Sequence, residues 1–485
     1  MLCFTLPAPV RETIETLNQA GHEAYLVGGC VRDALRGQLP HDYDITTSAL
    51  PAEVAACFSD KTIIETGLKH GTLTLHSGGM DLEITTFRTD GIYEDHRHPA
   101  MIRFAPTLQE DLARRDFTIN AMAYHPQTGL IDLFGGRSDL EHGILRCVGD
   151  PDKRFGEDAL RILRALRFAA VLDFAIDAET ARALFSQKEL LHVISSERIR
   201  AELLRLLCGK AADTVLSSYF EVLTAVLPEL LPMKGFAQKN PHHIYDVWEH
   251  TIAVIQAVPP TPHLRLAALL HDIGKPDCFT EDANGIGHFY QHDRLGAEMT
   301  RRILRRLKFD NATTLQVVTL VREHGRQIEP SAKAVKRVLR RFGPEMFFDL
   351  IALKRADAAG QSPAFASRQG LYDRLEQIAA DILSQKQCFC RKDLAVTGLD
   401  LMAAGLPAGR ELGLALDRLL DAVIDEKVIN EKDALLHYLL DDSAACNASE
   451  NRQKAAVQGF ILSMILRFGV DQFAACIGLL YTDIG

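Results

Sequence analysis

Two carboxylates separated by one residue, Asp42 and Asp44, follow a double glycine, Gly28 and Gly29, and the basic Arg32. In extended backbone, side chains two residues apart point the same way, so the pair would present its oxygens on one face, a donor set suited to hard divalent cations. Leu26-Val27 reads as the end of a strand entering the glycines, with a short helical segment opening near Arg32. That layout offers backbone N–H groups and a guanidinium to phosphates. Taken singly, the halves read rather as a tight turn and a solvated strand end. In succession they imply metal-assisted nucleotidyl transfer.

Further candidate groups follow downstream. Glu83 lies in a segment that could pair near Asp42 and Asp44, either as a third acid or as an ordinary strand carboxylate. Arg115, Asp116 and Asn120 combine a phosphate donor with groups able to hydrogen-bond a ribose hydroxyl, though the same residues suit a capped, polar helix start. Asp158, Arg161, Arg164 and Arg167 recur every third residue, a polar ridge on a helix whose apolar side carries Leu160, Leu163, Leu166 and Phe168. By itself that ridge reads as an ion-paired surface helix.

Holding these groups in place requires an α/β head. Val10 to Ala20 has helical spacing stopped by Gly21, and Ser48 is placed to cap a helix beginning near Pro51. Tyr25–Val27, Thr62–Ile64, Gly71–Leu75 and Leu82–Phe87 read as strands of a mixed or antiparallel sheet. Arg88 to Thr107, with Gly91, Pro99 and Pro106, reads as a loop long enough to be functional. A turn at Asp132–Gly136 ends the head near residue 140, and from Phe155 the pattern is helical.

At 485 residues the chain exceeds one core, and three or more domains are expected at ~150 residues each. Its net charge of −10 opposes phosphate on average, so any nucleic acid must be met by local basic surfaces. Ten scattered cysteines with no Cys-x-x-Cys fit reduced thiols of a cytoplasmic protein rather than disulfides or a thiolate zinc site. Met1 to Val10 does not read as a signal peptide, and no apolar run reaches the ~20 residues of a membrane span.

In combination, the Leu26–Asp44 block, Arg114-Arg115-Asp116-Phe117-Thr118-Ile119-Asn120-Ala121, the Asp132 turn, Glu157-Asp158-x-x-Arg161 and Ser196-Glu197-Arg198-Ile199 resemble the class II tRNA nucleotidyltransferases. These are the bacterial CCA-adding enzymes and poly(A) polymerases of the polymerase-β-like superfamily. The resemblance is close over about residues 20 to 210 and looser to about 440. It implies a mixed-sheet head (1–140), an all-α neck (141–215), an HD-like body (216–385) and a tail (386–442). It further implies addition of C, C and A to the tRNA 3′ end from CTP and ATP, without a nucleic-acid template. Asp42 and Asp44 would be catalytic and hold magnesium, Gly29, Arg32 and Arg115 would hold the triphosphate, Asp116 would contact the ribose, and Gly28 and Asn120 would also bind the nucleotide. Asp158 and Arg161 would select the base, with Arg164 and Arg167 completing the nucleotide contacts. The chemistry is compatible, because a carboxylate accepts from the exocyclic amine that C and A share and that U and G lack at that position. Asp95, Arg97 and Pro99 resemble the element that switches the pocket from CTP to ATP, although His98 stands where arginine is more usual. Thr66–Thr72 resembles the CCA-adding branch; a poly(A) polymerase or a partial CC- or A-adding enzyme are the alternatives within the family.

Val247-Trp248-Glu249-His250-Thr251 and Leu269-Leu270-His271-Asp272-Ile273-Gly274-Lys275 resemble an HD metal-dependent phosphohydrolase. That resemblance implies a metal site of His250, His271, Asp272 and Asp357, with His288, His292 and His324 as further imidazoles for a second ion. Imidazole with carboxylate suits transition metals. The alternatives are a body that serves only as a tRNA-binding scaffold, or a phosphohydrolase whose head binds RNA. Arg301, Arg305, Lys333, Arg337 and Arg340 form basic helix faces that would meet the acceptor-arm backbone or simply face solvent. Within the extension 443–485, Ser443 to Glu450 reads as a polar linker and an apolar stretch begins at Phe460; the segment has no family account and is read as packing against the body or an oligomer contact.

Overall fold

Alternation of buried and exposed side chains along short strands builds the head. In Met80–Thr86, Leu82, Ile84 and Thr86 point into the core while Asp81 and Glu83 stay exposed. The computed structural model describes residues 4–65, 67–90, 102–240, 244–361 and 369–440. Strands β1 (Ala24–Val27), β2 (Tyr43–Thr47), β3 (Thr62–Ile64), β4 (Thr72–Ser77), β5 (Met80–Thr86), β6 (Arg88–Asp90), β7 (Ile102–Phe104), β8 (Met122–His125) and β9 (Gly129–Asp132) follow in chain order. Seven of them form one mixed sheet, β3-β4-β5-β2-β1-β8-β9. Within it β2 and β5 run parallel and set Asp44 opposite Glu83, while β1 lies antiparallel to both β2 and β8.

Helices α1 (Ala8–Gln19), α2 (Gly29–Leu35) and α3 (Pro51–Cys57) belong to the head. Val10, Ile14 and Leu17 of α1 pack with Leu26, Ile45, Leu75, Leu82 and Ile84, and each such burial contributes about 1.5–3 kcal/mol. Ser48 does not cap α3. It accepts the Glu23 N–H at 2.9 Å and so continues the β1–β2 ladder, while Leu50 holds the cap position and Glu53 reaches back to the Leu50 N–H at 2.7 Å. The ends of the expected loop 88–107 form a ribbon instead, with β6 antiparallel to β7 and Arg88 opposite Phe104. Asp95, Arg97, His98 and Pro99, like the extension 443–485, lie outside the described residues.

Helices α4 (Leu108–Ala113) and α5 (Gly136–His142) complete the head, and α6 (Pro151–Glu157), α7 (Leu160–Leu172), α8 (Ala178–Gln187), α9 (Ser196–Leu207), α10 (Ala212–Ser218) and α11 (Phe220–Thr224) succeed them. The polar ridge read as one helix is broken at Asp158, whose extended backbone (φ −136°, ψ 103°) separates α6 from α7. An aspartate just ahead of a helix satisfies an orphan N–H there, and Asp158 Oδ1 accepts from Leu160 N at 3.1 Å. Helix α7 is not a surface helix: Arg161 and Arg167 are only 7% and 8% exposed.

Then come α12 (Val247–Ala257), α13 (Pro262–Leu270), α14 (His292–Arg306), α15 (Asn311–Glu323), α16 (Ala332–Phe342), α17 (Pro344–Ala359), α18 (Gln369–Ser384), α19 (Gly398–Ala403) and α20 (Arg410–Ile424). The chain forms two compact units. One comprises the residues up to Arg326 with Asp349–Gln369, and the other comprises Gln327–Phe348 with the residues from Gly370 on. The second has its own core, in which Leu401, Leu419, Ile424 and Leu435 are fully buried. Among the described residues, no helix is long and apolar enough to cross a membrane.

Candidate active site

The end of β1 and the start of α2 bring phosphate donors against a carboxylate. Gly28 has φ +76°, and a Cβ there would come within 3.3 Å of Arg115 Nη1 and 3.6 Å of Asp44 Oδ2, so glycine answers both backbone and space. Helix α2 opens at Gly29 rather than near Arg32. Asp42 stands exposed just before β2, and Asp44 is half-buried within it. Burial and the neighbouring Glu83 carboxylate push the Asp44 carboxyl above its ordinary range, opposed by Arg115 and reinforced by Asp42. Excess negative charge on hard oxygen ligands fits a divalent cation.

Arg115 is itself held from behind. Fully buried Asp111 accepts from Arg115 Nη2 at 3.1 Å, Arg114 Nη2 at 2.8 Å, the Thr46 hydroxyl at 3.2 Å and Arg88 N at 3.3 Å. Burial would raise its pKa, but Arg115 and Arg114 hold it below the usual carboxylate range. Sequence reasoning missed Asp111, because Asp-x-x-Arg-Arg reads as an ordinary i,i+3/i+4 surface pair.

A continuous polar chain links α2 to α7. Arg32 Nη1 donates to Asn120 Oδ1 at 2.7 Å, Asn120 Nδ2 donates to Asp116 Oδ1 at 3.2 Å, and Arg164 Nε donates to Asp116 Oδ2 at 2.8 Å. Burial pushes the Asp116 carboxyl up, but the Arg164 guanidinium outweighs it and, with Asn120, holds it at about 2. The candidate base-selecting groups are also braced. Asp158 Oδ2 accepts from Arg198 Nη2 at 3.0 Å. Arg161 donates to Glu157 Oε2 at 2.9 Å and to the carbonyls of Arg154 and Arg114 at 3.1 and 2.9 Å. Arg167 pairs with Glu202 at 3.0 Å.

A second cluster lies among α12, the end of α13, α14, α15 and α17. His250 Nε2 is 3.1 Å from Asp357 Oδ1 and 3.5 Å from Asp272 Oδ2, and His271 Nε2 is 3.2 Å from Asp272 Oδ2 and 3.3 Å from His250 Nε2. On the other side of Asp272, its Oδ1 is 3.5 Å from His292 Nε2 and 3.7 Å from His324 Nε2, which are 3.2 Å apart. His250, His271 and Asp272 thus lie close enough together to share one ion, and Asp357 reaches them through His250. His288 does not join them, because it is engaged by Asp282 Oδ2 at 3.1 Å beside a small hairpin. Burial would raise the Asp357 carboxyl, but the His250 ring holds it well below its ordinary range; for Asp272, His271 and Lys275 do the same.

The basic candidates differ in what surrounds them. On α14, Arg301 and Arg305 form no ion pair among the described residues, whereas in the other unit Lys333 and Arg337 pair with Asp425 at 2.8 and 2.7 Å. Arg340 pairs with Asp417 at 3.0 Å and Asp421 at 2.6 Å.

The Poly A polymerase head domain family matches residues 24–146, the family described as probable RNA and SrmB-binding site of polymerase A matches 173–233, and the putative tRNA nucleotidyltransferase domain 2 family matches 281–439. The chain is 36% identical over 447 residues to the CCA-adding enzyme of Levilactobacillus brevis, covering 90% of this chain and 98% of that relative. It is 35% identical over 430 residues to that of Lactobacillus helveticus, covering 88% and 95%. The crystal structure of the Bacillus stearothermophilus CCA-adding enzyme in complex with CTP superposes with a TM-score of 0.68 at 30% identity, over 92% of this chain and all of that one. Likeness of this extent takes in the sheet, the broken helix and the helices beyond, and the chain belongs to the CCA-adding enzyme family of class II tRNA nucleotidyltransferases.

Proposed function

We propose that this nucleotidyltransferase adds C, C and A to the 3′ end of tRNA from CTP and ATP, with no nucleic-acid template. The observation that carries the reading is the meeting of Asp44 and Arg115 beside Gly28, together with the polar chain that runs from Arg32 through Asn120 and Asp116 to Arg164 on the helix that follows Asp158. Asp42 and Asp44 would hold magnesium, which would supply positive charge for activating the terminal 3′-hydroxyl and steadying the pyrophosphate. Gly28 and Gly29 let the triphosphate approach the backbone, Arg32 and Arg115 neutralise it, and Asp116 with Asn120 faces the ribose. Asp158 accepts from the amine of C or A while Arg161 donates to a ring acceptor. Arg164 and Arg167 complete the nucleotide wall. Residues 1–140 do the chemistry, 141–215 choose the base, and 216–442 hold the tRNA through Arg301 and Arg305. Phosphates would also reach Lys333, Arg337 and Arg340 in exchange for their present carboxylate partners.

Purified protein given tRNA lacking its CCA and each nucleotide in turn tests this. Two C additions followed by one A, then arrest, are expected; long runs of A alone would replace the reading with a poly(A) polymerase, and arrest after two C with a partial enzyme. In the same assay, Asp158→Ala is expected to narrow the CTP-over-UTP preference by roughly ten- to a hundredfold, the worth of one good base contact. The tRNA affinity should not move. Unchanged selectivity would remove Asp158 from base choice.

The imidazole cluster favours a second activity. His250, His271, His292 and His324 each place Nδ1 on a backbone carbonyl, of Gly360, Ala268, Phe289 and Val321, at 3.0, 2.8, 2.7 and 2.6 Å. Those carbonyls fix the proton on Nδ1 and leave Nε2 lone pairs facing one another, an arrangement that a cation between them relieves. We read this as an HD-type centre: His250, His271, Asp272 and Asp357 would hold a transition metal, with His292 and His324 as further imidazoles beside Asp272, and the ion would supply Lewis-acid chemistry for hydrolysis of phosphates such as a 2′,3′-cyclic terminus. Metal analysis is expected to show His271→Ala depleted relative to wild type by roughly tenfold or more, since changing even an outer-shell partner costs ~10- to 100-fold in metal affinity. Equal metal content would exclude the centre.

A further inference from the structure

Three guanidiniums of the nucleotide wall share one aromatic ring. The guanidinium carbons of Arg32, Arg164 and Arg167 lie 5.3, 5.4 and 4.0 Å from the centroid of Phe168. Phe168 is 9% exposed and is fixed edge-on by Phe117, with ring centroids 5.7 Å apart and planes at 79°. The three cations come from different places, Arg32 from α2 and the other two from α7. Each has its own carboxylate: Asp33 for Arg32 at 2.9 Å, Asp116 for Arg164 at 2.6 Å and Glu202 for Arg167 at 3.0 Å. Those three acids lie on separate elements, so ion pairing alone would draw the guanidiniums apart. Burial, opposed by Glu202 and reinforced by Arg164 and Arg205, brings Arg167 down to about 10.

An aliphatic side chain of similar size would leave three like charges facing apolar surface. An aromatic face carries negative electrostatic potential and attracts them instead. We infer that Phe168 is a positioning residue for the nucleotide: its ring gathers the Arg32, Arg164 and Arg167 guanidiniums into one anion-binding wall, and the electron density of the ring sets how tightly the nucleoside triphosphate binds. The inference rests on the reading that these arginines meet the nucleotide. It assigns to a hydrophobic residue a part of nucleotide affinity.

The test uses the full chain with Phe168 replaced in turn by 4-fluoro-, 3,5-difluoro- and 3,4,5-trifluorophenylalanine, which nearly preserve shape while draining the ring face of charge. CTP affinity by calorimetry, KM and kcat on tRNA lacking its CCA, and Tm are measured across the series. CTP affinity is expected to fall stepwise, by roughly fivefold or more at the trifluoro ring, with the KM for CTP rising in parallel. The KM for tRNA, kcat and Tm stay level, which separates positioning from mere packing. Arg32→Gln is run beside the series. If Arg32→Gln weakens CTP binding and the fluorinated series is flat, the role of Phe168 is overturned while the nucleotide reading stands. If Arg32→Gln leaves CTP binding unchanged, both fall together.

Discussion

Asp44→Asn is expected to lower nucleotide incorporation by roughly a thousandfold or more, the equivalent of about 4 kcal/mol in the transition state. The substitution keeps the size of the side chain and its place on β2 opposite Glu83, but takes away a charge that a cation needs. Loss of fold would lower activity too, and the sign of the stability change tells the two apart. Burial and Glu83 raise the Asp44 carboxyl above its unfolded value. A group raised in this way favours the folded state when protonated, and that contribution disappears as pH rises through its folded pKa. At neutral pH the ionised carboxylate is therefore a strain on the fold in the absence of a cation, and asparagine removes it. The variant should melt at the same temperature as wild type or higher, while magnesium stabilises only the wild type. Thermal melts with and without magnesium, beside single-nucleotide incorporation, check both statements. An Asp44→Asn protein that still incorporates CTP at a tenth of the wild-type rate would remove these carboxylates from the chemistry.

Asp111→Asn is expected to produce the largest loss of stability, about 3–5 kcal/mol at neutral pH, because it leaves two arginines without the buried carboxylate that neutralises them. Arg114 and Arg115 are 15% and 18% exposed in their side chains, and the carboxylate between them is fully buried. The pH dependence carries the opposite sign to that of Asp44. Asp111 is held below its unfolded value, so its contribution is complete above the unfolded carboxylate pKa of about 4 and is lost as pH falls through the folded one. The gap between wild type and variant, measured by denaturant unfolding, should be widest near neutrality and close as the pH drops below about 4. The nucleotide KM should rise as well, since Arg115 loses the anchor that keeps its other nitrogen beside Gly28. A variant as stable as wild type at pH 7 would show that the two arginines find other partners.

What could be read in advance follows the range of the interactions. The strands of the head and the Gly28 turn are legible because period-two alternation and glycine chemistry are local, whereas spacing alone leaves open whether Glu83 sits beside Asp44, which the β2–β5 register decides. The four groups His250, His271, Asp272 and Asp357 are also legible, but through motif resemblance rather than periodicity. The misreadings involve partners distant in sequence. Arg161, Arg164 and Arg167 look like a solvated ridge until Glu157, Asp116 and Glu202 are seen to neutralise them. Ser48 looks like a cap until Glu23, from the far side of β1, claims its hydroxyl. Asp158 looks helical because spacing does not reveal that Arg198 draws its carboxylate out of line. His288 and His292 look alike in sequence, yet only the second reaches Asp272.

The bond between Asp116 and Arg164 also bears on when this protein becomes competent during its own synthesis. Asp44 emerges from the ribosome early, but its neighbouring strand β1 is closed on the other side only by β8, at Met122–His125, and Asp116 finds its guanidinium only when Arg164 has been made. At about 5–20 residues per second, some ten seconds of translation separate the first carboxylate from the last arginine. During that interval the nascent head holds ionised groups without their partners, and ordering must wait for contacts between residues far apart in the chain, which form slowly. A nascent chain truncated before α7 would therefore expose an unfinished head to chaperones rather than a small working transferase. The helix that completes the nucleotide wall also brings the guanidinium that pairs with Asp116.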